Sequence, residues 1–129
     1  MRLQSDLDTL CRAALAGSLA TTTADWDNRA ALGVVLAAEG YPGSYSKGSV
    51  IEGLNEANSD DVKVFHAGTK LDGDQVVTSG GRVLCAVALG ESVAQAQRRA
   101  YSLAEGITWK DVYSRSDIGH RAIAREQQA

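Results

Sequence analysis

Apolar residues near the start of the chain recur at helical spacing, at Leu7, Leu10, Cys11, Ala14 and Leu15. This predicts a helix over residues 5–19 with a single apolar stripe. Ser5 stands at the cap position and Asp8 follows three residues later. Thr21-Thr22-Thr23 breaks the pattern. From Ala30 to Ala38 the chain reads differently, because Val34, Val35, Leu36 and Ala37 are apolar in succession. Such a run without alternation predicts a strand covered on both faces. Gly40 to Gly48 holds three glycines and the only proline, Pro42, and is predicted to be a loop. A short strand at Val50–Leu54 and a polar connection from Glu56 to Asp61 follow.

Alternation returns at Val62–His66, with Val62, Val64 and His66 on one face and Lys63 and Phe65 on the other. Asp72-Gly73, between strand-like flanks, predicts a hairpin turn with both turn residues at positive φ. Val76-Val77 and Val83–Ala88 are further strands, separated by Gly80-Gly81. Ser92 and Gln95 form a capping box at the start of a second helix. Its inner face is Val93, Ala96, Ala100, Tyr101 and Ala104. Ile107, Trp109, Val112 and Tyr113 predict a last strand, and the polar tail after Ile123 is expected to fray. The order is helix, mostly antiparallel strands, helix, strand, which is an α+β domain with flanking helices.

Composition narrows the function classes. The 129 residues suit one domain, with 44% apolar and 22% charged residues. A net charge of -3 argues against a general nucleic-acid binder. No apolar run approaches the roughly 20 residues of a membrane span. Cys11 and Cys85 lie far apart, and with His66 and His120 they form no pattern with metal-ligand spacing. They read as reduced core thiols of a cytoplasmic protein.

The chain carries no phosphate-loop signature, no dinucleotide fingerprint and no HExxH metal motif. No catalytic residue, metal ligand or cofactor is therefore expected within it. Two segments hold candidate binding groups, His66-Ala67-Gly68-Thr69-Lys70 and Thr78-Ser79-Gly80-Gly81-Arg82. The predicted hairpin returns the second beside the first. Backbone N–H groups at Gly68, Gly80 and Gly81 offer a close approach to an anion. Thr69, Thr78 and Ser79 offer hydroxyls, Lys70 a point charge and Arg82 a fork that matches phosphate. The same residues also read as two glycine turns in a sheet with an arginine on its surface. Tyr41, Tyr45 and Lys47 in the Gly40–Gly48 loop are candidates for a lid, or for a plain surface connection. Glu39, before that loop, reads as a half-buried residue with a hydrogen-bond role or as a plain strand end. Arg115 to Ala122 reads as a clasp for the tail.

Five strings of this chain, in order, resemble one family. They are Val34-Val35-Leu36-Ala37-Ala38-Glu39-Gly40-Tyr41-Pro42-Gly43, Val64-Phe65-His66-Ala67-Gly68-Thr69, Val77-Thr78-Ser79-Gly80-Gly81-Arg82-Val83-Leu84, Ala88-Leu89-Gly90 and Arg115-Ser116-Asp117-Ile118-Gly119-His120-Arg121-Ala122. Together they resemble the C-terminal domain of glycinamide ribonucleotide synthetases, the phosphoribosylamine–glycine ligases of purine synthesis, over nearly the whole chain. The resemblance implies an ATP-grasp ligase that joins phosphoribosylamine to glycine through an acyl phosphate. ATP and Mg2+ or Mn2+ would belong to N-terminal and ATP-grasp domains outside this chain, which would be its partners. Residues 1–28 would be a helix and connector from that core, and residues 29–129 the substrate-binding domain. In related ATP-grasp enzymes that bind a glycinamide ribonucleotide, a lysine and arginines at these strand ends hold the 5′-phosphate. Lys70 and the single Arg82 stand at those places here. The architecture is shared with biotin-carboxylase-type enzymes, but the arginine expected shortly before the Ala38-Glu39 pair is missing. A stand-alone module for a phosphorylated small molecule and an inert structural fragment are the rival functions.

Overall fold

The computed structural model describes residues 1–54 and 59–128. Helix α1 spans Leu7–Leu15, strand β1 Ala30–Ala38, β2 Val62–His66, β3 Thr69–Asp72, β4 Gln75–Thr78, β5 Arg82–Gly90, α2 Val93–Glu105, β6 Val112–Tyr113 and α3 His120–Glu126. Four strands form one antiparallel sheet in the order β2-β5-β1-β6, and β3 and β4 form a separate hairpin. The α+β class with a mostly antiparallel sheet is as the pattern predicts.

The core lies between this sheet and α2. Val34, Leu36, Leu84, Ala86, Ala88 and Val64 point toward the helix and are buried. Ala96, Ala100 and Ala104 meet them from α2, completely or almost completely hidden. Small side chains at those positions let the helix axis approach the strands closely. Gly90 serves the same approach, since a Cβ there would lie 2.4 Å from the Ala96 nitrogen. Full burial of each valine or leucine contributes about 1.5–3 kcal/mol.

The expectation of a strand covered on both faces is corrected. Val34 is 0% exposed but its neighbour Val35 is 42% exposed, because α2 covers one face of the sheet only. Polar groups tie the edges. Arg29 bridges Asp27 and Asp61 at 2.7 and 2.6 Å, and Arg99 of α2 reaches Asp61 at 3.1 Å and the Leu89 carbonyl at 2.9 Å. This cluster fixes the entry to β1 and β2 against the helix.

The ends of several elements differ from expectation. The first helix runs over residues 7–15, not 5–19, and its cap is Asp6, whose carboxylate accepts from the Asp8 N–H. Its stripe is not buried: Leu7, Cys11, Ala14 and Leu15 are exposed, and only Ala13 of the helix is hidden. Cys11 is therefore no core thiol; Cys85 is partly buried, and both are free. Val50 and Glu52 make isolated bridges, to Val77 and Thr108, instead of a strand. The polar connection read at 56–61 lies, for 56–58, outside the described residues. Ile107 and Trp109 are buried outside any strand, and β6 keeps only Val112 and Tyr113.

The hairpin turn is displaced by one residue. Asp72 pairs with Gln75, so the loop is Gly73-Asp74. Gly73 has φ 59° and Asp74 is not left-handed, as in a turn with positive φ at its first position alone. The tail after Ile123 does not fray at once. It continues α3 to Glu126, whose carboxylate accepts from Val93 N–H at 2.7 Å and Ala94 N–H at 3.4 Å. A negative charge there answers the unsatisfied donors of the α2 N-terminus.

Candidate functional site

The two glycine segments meet at the ends of β2 and β5. Gly68 and Gly80 cross backbone to backbone: a Cβ on Gly68 would lie 2.7 Å from the Gly80 Cα and 2.6 Å from the Arg82 carbonyl oxygen. The crossing is cemented by main-chain hydrogen bonds. Gly68 N–H donates to the Arg82 carbonyl at 2.9 Å, and the Gly68 carbonyl accepts from Ser79 and Gly80 N–H at 2.7 and 3.1 Å. This corrects the expectation of bare donors, since the N–H groups of Gly68 and Gly80 are engaged within the fold. Their bare Cα atoms serve the close crossing instead. Gly81 donates to no described residue, and its carbonyl accepts from Ala38 N–H at 2.8 Å.

Of the predicted hydroxyls, Thr78 is also committed inward. It is 1% exposed and its Oγ1 accepts from Ser49 N–H at 3.1 Å. The Thr69 hydroxyl lies 3.0 Å from His66 Nδ1. Ser79 is partly exposed, and Lys70 and Arg82 are exposed. Among the described residues Arg82 forms no ion pair, which leaves its guanidinium available at the mouth of the crossing.

The Gly40–Gly48 loop joins the same assembly. The Tyr41 ring rests on Gly81, where a Cβ would come 2.1 Å from Tyr41 Cδ2. Tyr45 stands edge-on to Tyr41, with centroids 6.2 Å apart, and Lys47 Nζ sits 5.8 Å from the Tyr45 centroid. At its far end the loop is pinned, because Gly48 N–H donates to the Thr78 carbonyl at 2.7 Å. The candidate lid is thus anchored at both ends to the glycine turn.

A cavity of about 260 Å³ opens beside Arg82 and Tyr41, with Gly33, Val35, Ala37 and Ile118 as apolar floor and Tyr113 and Arg115 at the rim. Arg115 is engaged by Asp117, at 2.7 Å. That pair holds the Asp117 carboxyl below its ordinary range, through the hydrogen bond first and the charge second. Burial pushes the Cys85 thiol up. The 115–122 segment is itself held against α2: the Tyr101 hydroxyl donates to the Arg115 carbonyl and accepts from Ile118 N–H, and Gln97 donates to the Ile118 carbonyl.

Comparison with known proteins decides the family. The family model for the "Phosphoribosylglycinamide synthetase, C domain" matches residues 31–121. The chain belongs to this family. It is 63% identical over 127 residues to the phosphoribosylamine–glycine ligase of Vibrio cholerae, covering 98% of this chain and 30% of that protein. It is 62% identical over 127 residues to the ligase of Pseudomonas aeruginosa, again with 98% and 30% covered. The solved phosphoribosylamine–glycine ligase of Thermotoga maritima superposes with a TM-score of 0.66 at 34% identity, over 84% of this chain and 27% of that one. The chain thus spans about 30% of the length of the curated relatives it matches.

Sequence reading missed the other side of the loop in this phosphoribosylglycinamide synthetase C domain. A second cavity, of about 390 Å³, lies between Glu39, Ser44, Tyr45 and Ser46 and the turn Trp109-Lys110-Asp111. Asp111 has φ 66° and its carbonyl accepts from Glu39 N–H at 2.9 Å. The aspartate is a residue that tolerates a left-handed backbone, but that tolerance is too weak a signal to have announced the turn. Glu39 follows the last residue of β1, Ala38, and is exposed at this cavity, not half-buried.

Proposed function

We propose that this chain is the part of a phosphoribosylamine–glycine ligase that holds the 5′-phosphate of phosphoribosylamine and closes that end of the active site. The observation that carries the reading is the exposed Arg82, without an ion pair among the described residues, next to the Gly68–Gly80 crossing, in a family whose relatives bear that ligase name. Arg82 is the principal charge for the phosphate. Ser79, Thr69 and the Gly81 N–H add hydrogen-bond donors around it, and Lys70 adds a second charge. Gly68 and Gly80 shape the turn. Tyr41, Tyr45 and Lys47 form the wall that covers it.

In this reading residues 1–28 are the helix and connector from an ATP-grasp core, and residues 29–129 the substrate-binding domain. ATP and a divalent metal act in the part of the ligase outside this chain. Among the described residues no three His, Cys, Asp or Glu side chains converge as metal ligands. Among them, too, no helix is long and apolar enough to cross a membrane. The contribution to catalysis is positioning. A phosphate held at a distance from the reacting amine makes the attack on the activated glycine effectively unimolecular, and its binding energy is used at the reacting centre. Steady-state kinetics of Arg82→Ala in the complete ligase tests the reading: kcat/KM for phosphoribosylamine falls while KM for ATP stays. An unchanged kcat/KM in a folded enzyme moves the phosphate elsewhere.

A further inference from the structure

Ala37, near the end of β1, has two partners in the sheet, Arg82 of β5 on one side and Tyr113 of β6 on the other. The three residues form one row across three strands. Neighbouring strands lie about 4.8 Å apart, so the Cα atoms at the two ends of the row are roughly 10 Å apart. Arg115 follows Tyr113 by two residues. Arg82 and Arg115 both line the cavity of about 260 Å³, whose floor includes Gly33, Val35 and Ala37. Those floor residues carry no hydrogen-bonding side chain, so an anion that enters meets its donors at the rim. The two arginines come from segments more than 30 residues apart in the chain, and only the pairing of β1 with both β5 and β6 brings them to one opening.

Arg115 is held in place at both ends. The Tyr101 hydroxyl of α2 donates to its carbonyl at 2.6 Å. Asp117 accepts from its Nε at 2.8 Å and from its Nη2 at 2.7 Å. A guanidinium has five N–H donors. The pairing with Asp117 uses two of them, which leaves three for a ligand. A phosphate monoester near neutral pH carries about 1.5 to 2 negative charges and three strong acceptor oxygens, more than the single fork of Arg82 satisfies. We propose that Arg115 is a second phosphate-binding arginine of the ligase, which takes the 5′-phosphate of phosphoribosylamine from the β6 side of the cavity as Arg82 does from the β5 side. Asp117 sets the fork and shares its charge, so Arg115 is the weaker of the two. This inference rests on the reading that the phosphate is held at this end of the domain.

The test is steady-state kinetics of the complete ligase with Arg115→Ala, Arg115→Lys and Asp117→Asn, measured beside Arg82→Ala. Arg115→Ala is expected to lower kcat/KM for phosphoribosylamine about 10-fold, the low end for a charged hydrogen bond, with KM for ATP unchanged. Arg115→Lys is expected to recover only part, because it keeps the charge without the fork. Asp117→Asn keeps the guanidinium and is expected to lose less than Arg115→Ala. A loss in Asp117→Asn as large as that in Arg115→Ala makes the pair a structural clasp and overturns the proposal. An unchanged kcat/KM in Arg115→Ala with Arg82→Ala impaired also overturns it and leaves the phosphate at Arg82. A loss in Arg115→Ala with Arg82→Ala unimpaired upholds Arg115 and removes Arg82, so the two readings fail separately. If Arg115→Ala does not fold, or raises KM for ATP as well, Arg115→Lys decides: a kcat/KM for phosphoribosylamine equal to that of the unaltered ligase overturns the proposal.

Discussion

The ring of Tyr41 lies directly on the bare Cα of Gly81, so the loop after β1 and the turn before β5 are one structure. Replacing Gly81 with alanine would put a methyl group 2.1 Å from Tyr41 Cδ2 and 3.0 Å from its Cγ. The clash reaches the base of the ring, so a change of the ring's tilt does not relieve it. Gly81→Ala is expected to destabilise the fold by about 1–3 kcal/mol, as overpacking does, measured by urea unfolding. Tyr41→Ala combined with Gly81→Ala is expected to recover part of that loss, because the contact is shared and the two effects are not additive.

At Gly68 the neighbours are main chain, not a side chain that can turn away. A methyl group there would meet the Arg82 carbonyl at 2.6 Å and the Gly80 Cα at 2.7 Å. The crossing must open, with loss of the hydrogen bonds through Gly68. Gly68→Ala is therefore expected to cost more than Gly81→Ala, about 3 kcal/mol or above. A midpoint of urea unfolding no lower than that of Gly81→Ala would show that the crossing yields easily.

Much of this was legible because local signals and tertiary context agree. The strand at 30–38 follows from its apolar run and that at 62–66 from alternation, and Ser92 caps α2 through the Gln95 N–H as its spacing predicts. The meeting of the two glycine segments follows from a hairpin between them, although the turn moved to Gly73-Asp74. What was not legible depends on partners distant in sequence. Nothing near Tyr41 announces Gly81. Nothing in the tail announces that Glu126 reaches the start of α2. The run Val34–Ala37 reads as doubly buried, but Val35 is exposed because α2 covers only one face of the sheet. Likewise Gly68 and Gly80 read as bare donors, because a sequence does not reveal which main-chain groups a crossing has already engaged.

Acid sensitivity follows from the Arg29 cluster. The Arg29 guanidinium, by hydrogen bond and then by charge, lowers the Asp27 carboxyl to about 2, and it also lowers Asp61. A carboxyl whose pKa is depressed in the fold contributes stability above its unfolded value of about 3.9. That contribution is lost as pH falls through the folded value. The thermal midpoint is therefore expected to drop between about pH 4 and pH 2. Asp27→Asn should start lower at neutral pH and fall less over the same interval. Parallel curves for the two proteins would remove Asp27 from the account.

Glu126 gives a check on the last helix. Its carboxylate accepts from the first two N–H groups of α2, whose cap is Ser92. Glu126→Gln keeps an acceptor and removes the charge at the helix N-terminus, which is expected to cost about 0.3–1 kcal/mol at low salt. Salt should diminish the difference, because the site is exposed and screening acts on it. A difference that persists undiminished at 1 M salt would point to the hydrogen bonds instead of the charge.

The largest functional effect is expected at Arg82. It is exposed, and among the described residues it has no carboxylate partner, so its charge is not already neutralised within the fold. A charged hydrogen bond contributes about 1.5–3 kcal/mol, which at about 1.4 kcal/mol per decade predicts a loss of roughly 10- to 150-fold in kcat/KM for phosphoribosylamine on Arg82→Ala in the complete ligase. Arg82→Lys should recover only part, because an ammonium meets a phosphate as a point charge and lacks the fork. Lys70→Ala should lose less than Arg82→Ala, since Lys70 lies on β3, in the separate hairpin, away from the Tyr41 and Gly81 contact. The KM for ATP should hold in all three variants. If Lys70→Ala proved the more damaging, the phosphate would sit over the β3–β4 hairpin, and Tyr41 would have no part in covering it.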